Sequence, residues 1–390
     1  MKKRTLILSI KSTIIWILIL LPFSSLANKP PFTVSPGLFD HSLTKTLGLN
    51  YPEKSHTFTV YHAENNTNKY NHGAVLMPFK GQLFIQWQSS RQDEDAADTQ
   101  IFFSTSTDAQ TWNKAKVLMP ARDNATVTNG GWWTDGETLI AFINVWPKNL
   151  TPRGGYVEYI TSVDGHSWST PQCVKYSDGR CINGVIEQDL RQLANGRILT
   201  ALHQQPGLIA KPIFTDDPLA LSGWKLGNMD NLPHKKNISR ELEPSWYMKR
   251  DSSIVMIFRD QESSFRTLAA VSKDNGVTWS QAIETNMFDS RAKQSAGNLP
   301  DGSAFIINNP TGTKQRIPLV VNLSDNGVLF DRAFLLNSGD DLPLMKYQGK
   351  YKRIGFSYPK SIIWQNYLLV SYALNKEDIV VTKVPLSSLN

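Results

Sequence analysis

The sequence is poor in cysteine, in helical periodicity and in the common catalytic motifs. Only two of its 390 residues are cysteine. Apolar residues at helical spacing are scarce, and short runs rich in Val, Ile, Phe, Trp and Thr alternate with Gly, Asn and Asp turns, which predicts an all-β protein. No HExxH, GxSxG or glycine-rich phosphate loop occurs in context. Because His56, His62 and His72 lack metal-ligand spacing, no cofactor is expected, and a structural calcium or zinc ion stays open.

A strong charge of one sign is also missing once the amino terminus is set aside. The whole chain carries 41 Lys and Arg against 34 Asp and Glu, a net charge of +7. Four of these basic residues lie within residues 1–27, and removing four of 41 leaves 37 against 34, about +3. The sequence therefore lacks the basic stripe that nucleic-acid binding requires, and no nucleic-acid partner is expected.

Residues 1–27 have the pattern of an export signal. Lys2, Lys3 and Arg4 precede an apolar run from 14 to 23, and small residues lie before Asn28. The run is too short to span a bilayer, so no stable membrane insertion is expected, although an uncleaved anchor remains the alternative. The sequence predicts a periplasmic or secreted protein, in which Cys173 and Cys181, eight positions apart, are expected to form a disulfide rather than half of a metal site.

A turn recurs along the rest of the chain. The stretch Ser272–Trp279 contains Asp, Asn and Gly and closes with an indole, and related stretches close at other aromatic residues. The closing aromatics are Trp112, Trp168, Trp224, Trp279 and Phe330, at steps of 56, 56, 55 and 51 residues. A near-constant period of this length indicates a repeat architecture, with the Asp side chain binding amides of its own turn.

These turns resemble the Asp-box of sialidase-like BNR-repeat propellers, with Gln110 in place of the glycine in the first copy. The resemblance implies one all-β β-propeller domain over residues 56–390, preceded by a loop-rich lead-in at 28–55. Predicted innermost strands that begin near 73, 131, 189, 245, 295 and 357 give six blades. The strand at 56–61 is expected to fill the outer position of the last blade and close the ring. Seven blades remain open if the lead-in contributes more than one strand.

Strand alternation in such a ring places the Asp turns on one face and gathers the other loops on the opposite face, called the convergent face here. Those loops carry Arg, His and Lys beside Trp and Tyr, which suits an anionic saccharide because guanidinium groups bind carboxylate or sulfate and aromatic rings stack on sugars. A monomer is expected. The candidate binding residues are Gln92, Trp133, Arg153, Arg259, Arg291, Lys293 and Tyr358. The alternatives are a core role for Trp133, an internal ion pair of Arg259 with Asp260, and a structural loop role for His203.

A sialidase would require three arginines on the substrate carboxylate, a Tyr–Glu nucleophile pair and an acidic Asp. Arg153, Arg259 and Arg291 are the candidate clamp. The Arg-Ile-Pro motif that sialidases carry before the first blade is absent there. Arg316-Ile-Pro318 lies late in the fifth blade, where it is not expected to take that part.

A closer resemblance is to secreted bacterial propellers related to ulvan lyases and rhamnose–glucuronate-cleaving enzymes. The motifs that carry it are Tyr70-Asn-His72, Asp93-Glu-Asp95, Glu243-Pro-Ser-Trp-Tyr247, Arg259-Asp-Gln261, Asp289-Ser-Arg-Ala-Lys-Gln-Ser295 and Asn375-Lys-Glu-Asp378. It implies β-elimination beside a uronic acid, with an Arg neutralising the uronate.

The candidate catalytic residues under this interpretation are His72 as base, Tyr247 or Tyr156 as acid, and His203. Gln92 stands where a second histidine would be expected. The leading prediction is a lyase of a uronic-acid-containing polysaccharide, sulfated or not. The alternatives are an exo-glycosidase of sialidase or rhamnosidase type and a non-catalytic glycan-binding propeller.

Overall fold

The computed structural model describes residues 29–151, 153–235 and 237–389. The predicted export signal at 1–27 lies outside these residues. The described chain forms 27 strands and one short 3₁₀ helix at Leu386–Ser388. Within these ranges no helix is long and apolar enough to cross a membrane.

Six antiparallel sheets form the blades of the ring. Two strands precede the first blade: β1 (Thr33–Val34) and β2 (His56–Tyr61). The strands of the first three blades are β3 (Tyr70–Phe79), β4 (Gln82–Ser90), β5 (Gln100–Ser106) and β6 (Lys116–Met119); β7 (Ala125–Thr134), β8 (Leu139–Pro147), β9 (Tyr156–Ser162) and β10 (Gln172–Cys173); and β11 (Gly184–Ile186), β12 (Arg191–Gln192), β13 (Ile198–Gln204), β14 (Ile209–Thr215) and β15 (Lys225–Leu226).

The remaining strands form blades four to six, except β23, which pairs with β1 in a separate two-stranded sheet. They are β16 (Glu241–Met248), β17 (Ile254–Asp260), β18 (Arg266–Ser272) and β19 (Ile283–Phe288); β20 (Ser295–Asn298), β21 (Ala304–Asn308), β22 (Leu319–Ser324), β23 (Leu329–Phe330) and β24 (Arg332–Asn337); and β25 (Phe356–Trp364), β26 (Tyr367–Leu374) and β27 (Asp378–Pro385).

The ring closes as the sequence predicts. The sixth blade has the strand order β2-β27-β26-β25, so β2 supplies its fourth strand and pairs antiparallel with β27, with His56 opposite Lys383. The other blades run from the innermost to the outermost strand in chain order, except that β11 and β12 share the inner position of the third blade. Joining the two ends of the domain in one sheet holds the first and last blades together, and six blades are confirmed.

Six large apolar clusters fill the interfaces between neighbouring blades. Between the first two blades, the indole of Trp132 packs edge-on against Phe84 with ring centres 6.1 Å apart. The same indole donates a hydrogen bond to the carbonyl of Val75, at 3.0 Å. Each blade thus buries both faces against its neighbours, so the core is divided around the ring instead of lying at one centre.

The Asp turns lie between the third and fourth strands, as predicted. The Asp108 carboxylate accepts the amides of Gln110 and Thr111, both at 2.8 Å. The positive φ of this turn belongs to Ala109, at 61°, and not to Gln110, so Ala109 holds the position that a glycine takes in the second copy. The expectation that Gln110 replaces the glycine is therefore wrong by one position.

The lead-in is fixed on the ring. Strand β1 pairs in parallel with β23, and Val34 exchanges hydrogen bonds of 2.7 and 2.8 Å with the amide side chain of Asn286. The side chain of Phe32 is fully buried between Tyr247 and Phe330. In the second blade, Cys173 and Cys181 form the predicted disulfide.

Candidate functional site

A cavity of about 230 Å³ opens at the convergent face. It receives side chains from every blade, as the topology predicts, and most of these side chains are polar or charged. In chain order the principal ones are His72, Glu94, Asp95, Trp146, Arg153, Glu187, His203, Glu243, Lys293 and Tyr358. Residues that are up to 286 positions apart in the sequence therefore share one chamber.

A β-bulge near the start of three innermost strands shapes this chamber. In blades one, four and six the first bulged residue has a positive φ, and these residues are Gly73 (69°), Glu243 (53°) and Tyr358 (58°). Glycine adopts a positive φ without steric cost, whereas a residue with a side chain is strained in this conformation. Because a bulge redirects a side chain, Glu243 and Tyr358 line the cavity rather than following the pleat of their strands.

Tyr358 and Glu243 form a hydrogen-bonded pair. The Tyr358 hydroxyl contacts Oε1 of Glu243, while Nη1 of Arg259 donates to Oε2 of Glu243 at 2.9 Å and to the Tyr358 oxygen at 3.1 Å. Burial, reinforced by the Glu243 charge, raises the pKa of Tyr358, so its hydroxyl keeps its proton at neutral pH. Burial alone would raise the pKa of Glu243, but Arg259 and Lys293 outweigh it and hold that pKa below its ordinary value. A buried carboxylate thus faces a protonated phenol.

Arg316 lies beside this pair, although its place late in the fifth blade led us to expect no part for it in the site. Its guanidinium is 5.1 Å from the centre of the Tyr358 ring, and Nη1 donates to the Ser357 hydroxyl at 2.8 Å. Among the described residues no carboxylate pairs with Arg316, whereas Arg259 is paired with Glu243. Arg316 is therefore a cation without a carboxylate partner in the described chain; it is 7% exposed and lies behind the residues that line the cavity.

His72 packs directly on Tyr358. The two ring centres are 4.1 Å apart, and only 1% of His72 is exposed. Neither ring nitrogen has a hydrogen-bond partner within the described chain. Burial lowers the pKa of His72, and the positive charges of Lys376, Arg316 and Lys293 lower it further, so the imidazole is neutral.

His203 and Lys293 line the cavity but are bound to protein groups. Nδ1 of His203 lies 3.1 Å from Oε1 of Glu187, and its Nε2 accepts the amide of Glu243 at 3.2 Å. The ammonium of Lys293 lies 2.8 Å from Oε2 of Glu187. Burial would raise the pKa of Glu187, yet Lys293 and His203 lower it overall, so Glu187 is a carboxylate.

Two carboxylates at the rim are also paired. Arg153 holds Asp95 with two hydrogen bonds of 2.6 Å and stacks over the Trp146 ring at 4.8 Å. The hydrogen bonds with Asp95 raise the pKa of Arg153. Lys376 donates to Glu94 at 2.5 Å. The rim therefore offers an indole face and two acidic groups beside the Tyr358–Glu243 pair.

Neither of the two proposed acids, Tyr247 and Tyr156, lies at the cavity. Tyr247 is fully buried in the core of blades four and five, where its hydroxyl donates to the carbonyl of Gly327 at 2.8 Å in an Asp-turn loop. Tyr156 lies in a separate surface cleft with Arg122. Both positions differ from the predicted role of these tyrosines as acids at the convergent face. Tyr247 lies away from that face because its strand runs away from it.

Four predicted binding residues are not among those that line the cavity: Trp133, Gln92, Arg291 and Arg259. The Trp133 indole donates to the Pro218 carbonyl at 2.8 Å in the core of blades two and three, which is its alternative core role. Gln92 is exposed and donates to the Gln348 carbonyl. Arg291 donates to the Gln261 carbonyl at 3.2 Å in the loop next to Arg259. The alternative ion pair of Arg259 with Asp260 is not found: Arg259 pairs with Glu243, and Asp260 pairs with Arg240.

No metal centre is evident in the part of the chain that the structure describes. Within it, no group of three or more His, Cys, Asp or Glu side chains could hold a metal ion.

Comparison with solved structures identifies proteins of the same fold at low sequence identity. A sialidase aligns with a TM-score of 0.60 and 18% identity over 91% of this chain and 35% of its own, so this chain spans about a third of that protein. The Hadza microbial sialidase Hz136 aligns at 0.66 and 16% identity, over 86% of this chain and 69% of its own. The intramolecular trans-sialidase from Ruminococcus gnavus aligns at 0.63 and 12% identity, over 88% and 99%.

No curated protein matches the chain. The sequence does match the BNR repeat-like domain over residues 81–370, which is most of the ring and includes all five recurring turns. Because that match covers well over half of the sequence and agrees with the six blades and their Asp turns, the chain belongs to the BNR repeat-like domain family.

Proposed function

We propose that this protein is a retaining exo-glycosidase that removes a carboxylate-bearing sugar, with Tyr358 as nucleophile and Glu243 as its base. The observation that carries the proposal is the buried hydrogen bond between the Tyr358 hydroxyl and the Glu243 carboxylate, flanked by Arg259. Sialidases use a tyrosine nucleophile where most glycosidases use a carboxylate. The sialidases that share this fold support the same chemistry.

The first step follows from the protonation states of the pair. Glu243 accepts the phenol proton as the Tyr358 oxygen bonds to the anomeric carbon and the glycosidic bond breaks. The departing oxygen takes a proton from water at the open rim, because the carboxylates there, Glu94 and Asp95, are engaged by Lys376 and Arg153. Water then attacks the anomeric carbon and releases a proton to solvent, the glycosyl–tyrosine bond breaks, and Glu243 returns the phenol proton to Tyr358. A neutral phenol suits this substrate because a carboxylate nucleophile would be repelled by the carboxylate of the sugar.

Positive charge around Tyr358 supports both substrate binding and attack. Arg316, Lys293 and Lys376 lie 5.1, 5.5 and 5.9 Å from its ring centre. Arg316 has no internal carboxylate among the described residues and offers its planar fork to the sugar carboxylate. The lysines stabilise the phenolate that develops as Glu243 takes the proton.

A β-elimination lyase is the second candidate function. It is favoured by His72, whose neutral ring has two nitrogens without partners in the described chain, as a base requires. Since Tyr247 and Tyr156 lie elsewhere, Tyr358 would serve as the acid. Arg316 would then neutralise the uronate.

The two functions differ in their products. Purified protein is incubated with aryl sialosides, glucuronides and rhamnosides, and separately with ulvan and other uronate polymers. We expect aryl alcohol release, reduced at least about 100-fold in Y358F and E243Q and unchanged in Y156F, the matched tyrosine control. Ultraviolet absorbance of an unsaturated uronate, abolished in H72A, would instead establish the lyase. Glycan binding without turnover would contradict both and indicate a binding propeller.

We further propose that the protein acts in the periplasm or outside the cell. The amino-terminal pattern at 1–27 and the Cys173–Cys181 disulfide support export. Mass spectrometry of the protein from its native source is expected to give Asn28 as the first residue. A mass that includes residues 1–27 would contradict cleavage.

A further inference from the structure

A second cavity, of about 180 Å³, lies on the inner strands of the ring. Gln188 lines both this cavity and the one at the convergent face, so the two are neighbours. Most of its wall comes from innermost strands, including residues of β3, β20 and β25. Three charged side chains, Asp189, Arg191 and Lys360, also line it.

The two cationic side chains, Arg191 and Lys360, leave hydrogen-bonding capacity unused. Lys360 is only 3% exposed, and its ammonium has no hydrogen-bond partner in the described chain. Nε of Arg191 is likewise buried without a partner there, while its Nη2 donates to the Trp246 carbonyl. Both cations lie 3.6 Å from Asp189, too far for a hydrogen bond. Asp189 is already bound by the Ser245 hydroxyl.

The charges at this cavity do not cancel. Two cations, Arg191 and Lys360, face one carboxylate, that of Asp189. Glu187 also acts on Lys360, but the Lys293 ammonium paired with Glu187 acts on it in the opposite direction, so this pair supplies no net counter-charge. An excess charge removed from water is destabilising unless a counter-charge compensates it, and the Lys360 side chain is only 3% exposed, against 30% for Arg191. Ordered water could satisfy the free donors but would leave the excess positive charge in place.

We propose that this axial cavity binds a monovalent inorganic anion of chloride size, held by the Lys360 ammonium and Nε of Arg191. A metal ion is disfavoured because two of the three charged side chains are cations. The site is separate from the Tyr358–Glu243 pair, and it stands whether or not the proposed glycosidase activity does.

The direct test is crystallography of the wild-type protein in bromide in place of chloride. We expect an anomalous difference peak within hydrogen-bond distance of the Lys360 ammonium and of Nε of Arg191. Water density alone at that position, with bromide bound only at the surface, would overturn the proposal. This test needs no variant, so it does not depend on the folding of a mutant.

Thermal unfolding supplies the second test. At constant ionic strength, replacing gluconate by chloride is expected to raise Tm along a saturating curve, because the anion binds the folded state. K360M keeps the buried stem but lacks the ammonium, and we expect it to lose this dependence. K225M, at an exposed position, is expected to keep it. An equal chloride response in K360M and wild type would reveal a general salt effect and refute the site.

Discussion

The backbone amide of Glu243 donates a hydrogen bond of 3.2 Å to Nε2 of His203. Because Nε2 is the acceptor, Nδ1 carries the ring proton, and it points to Oε1 of Glu187 at 3.1 Å. Glu243 has a φ of 53°, which is uncommon for a residue with a side chain. The imidazole therefore helps to hold the strained backbone that aims the proposed base at Tyr358.

Replacing His203 is expected to reduce turnover through the position of Glu243. In H203F the buried amide loses its acceptor, at a cost of about 1–3 kcal/mol. We expect kcat to fall more than KM changes, because His203 itself need not touch substrate. H203Q is the matched control, since its amide oxygen can accept the same hydrogen bond and should preserve more of kcat. Steady-state kinetics on the aryl glycoside that the wild-type protein hydrolyses measures both, and equal losses in the two variants would contradict the positioning role.

Arg316 is expected to set the preference for a carboxylate. R316M should raise KM about 10- to 100-fold, the equivalent of one charge-assisted hydrogen bond of about 1.5–3 kcal/mol. The methyl ester of the same substrate should show little difference between R316M and wild type. R180M, at an exposed residue paired with Asp178, serves as control. A similar loss for acid and ester would mean that Arg316 only supports the shape of the site.

The sequence is sufficient to predict the six-bladed ring but not how the lead-in packs against it. The closing aromatics recur because each blade rebuilds the same packing, as Trp224 and Trp279 do in successive blades, where each indole donates within its own turn. The lead-in contains no copy of the recurring turn, so its packing could not be predicted in this way. The burial of Phe32 depends on residues of the neighbouring blades four and five, which lie far from Phe32 in the sequence, so local composition does not reveal it.

The candidate site could also be predicted only in part. Topology indicates which loops share a face but not which side chains meet there. The topology indicated a shared face for His72, Arg259 and Tyr358, and these three do meet. Arg316 was missed although it lies between the second and third strands of its blade, a kind of loop already assigned to that face. The roles of Glu243 and Tyr358 depend on bulges that pattern analysis does not resolve, although a proline follows each of them in the sequence.

Phe32 is expected to be part of the stable core of the ring. Its burial against Tyr247 and Phe330 means that F32A leaves a cavity, with an expected loss of about 3–5 kcal/mol in the free energy of unfolding. L43A, at a lead-in residue that is 50% exposed, should cost far less. Urea denaturation measures both. Equal stability of F32A and L43A would show that the lead-in is dispensable for the fold.

The Cys173–Cys181 disulfide is expected to stabilise the protein without affecting catalysis. Closing a loop of eight residues contributes about 2–3 kcal/mol in the chain-entropy account. The double variant C173S/C181S should therefore have a lower Tm than wild type, and a reducing agent should lower the Tm of wild type only. Activity should be equal, because neither cysteine lines the cavity. A reductant effect on the double variant would point to another cause.

Asp289 is expected to make stability fall as pH rises toward neutrality. This carboxyl is 1% exposed in the loop between β19 and β20. Burial raises its pKa to about 7, although the amide of Ala292 and the charge of Arg259 act in the opposite direction. An unfolded aspartate has a pKa of about 3.9. Between these two values the folded state keeps a proton that the unfolded chain has lost, so the stabilising contribution is complete below about pH 4 and is lost as pH rises through about 7.

D289N isolates this effect because its amide oxygen can still accept the Ala292 amide, now at 3.2 Å, and it carries no charge at any pH. We expect the free energy of unfolding of D289N minus that of wild type to grow from about pH 4 to about pH 7 and then to level off. Each unit of raised pKa corresponds to about 1.4 kcal/mol. D123N, at an exposed carboxylate, is the matched control and should show no such growth. Urea titrations across this range measure the difference, and a difference that stays flat with pH would mean that Asp289 is ionised in the folded protein.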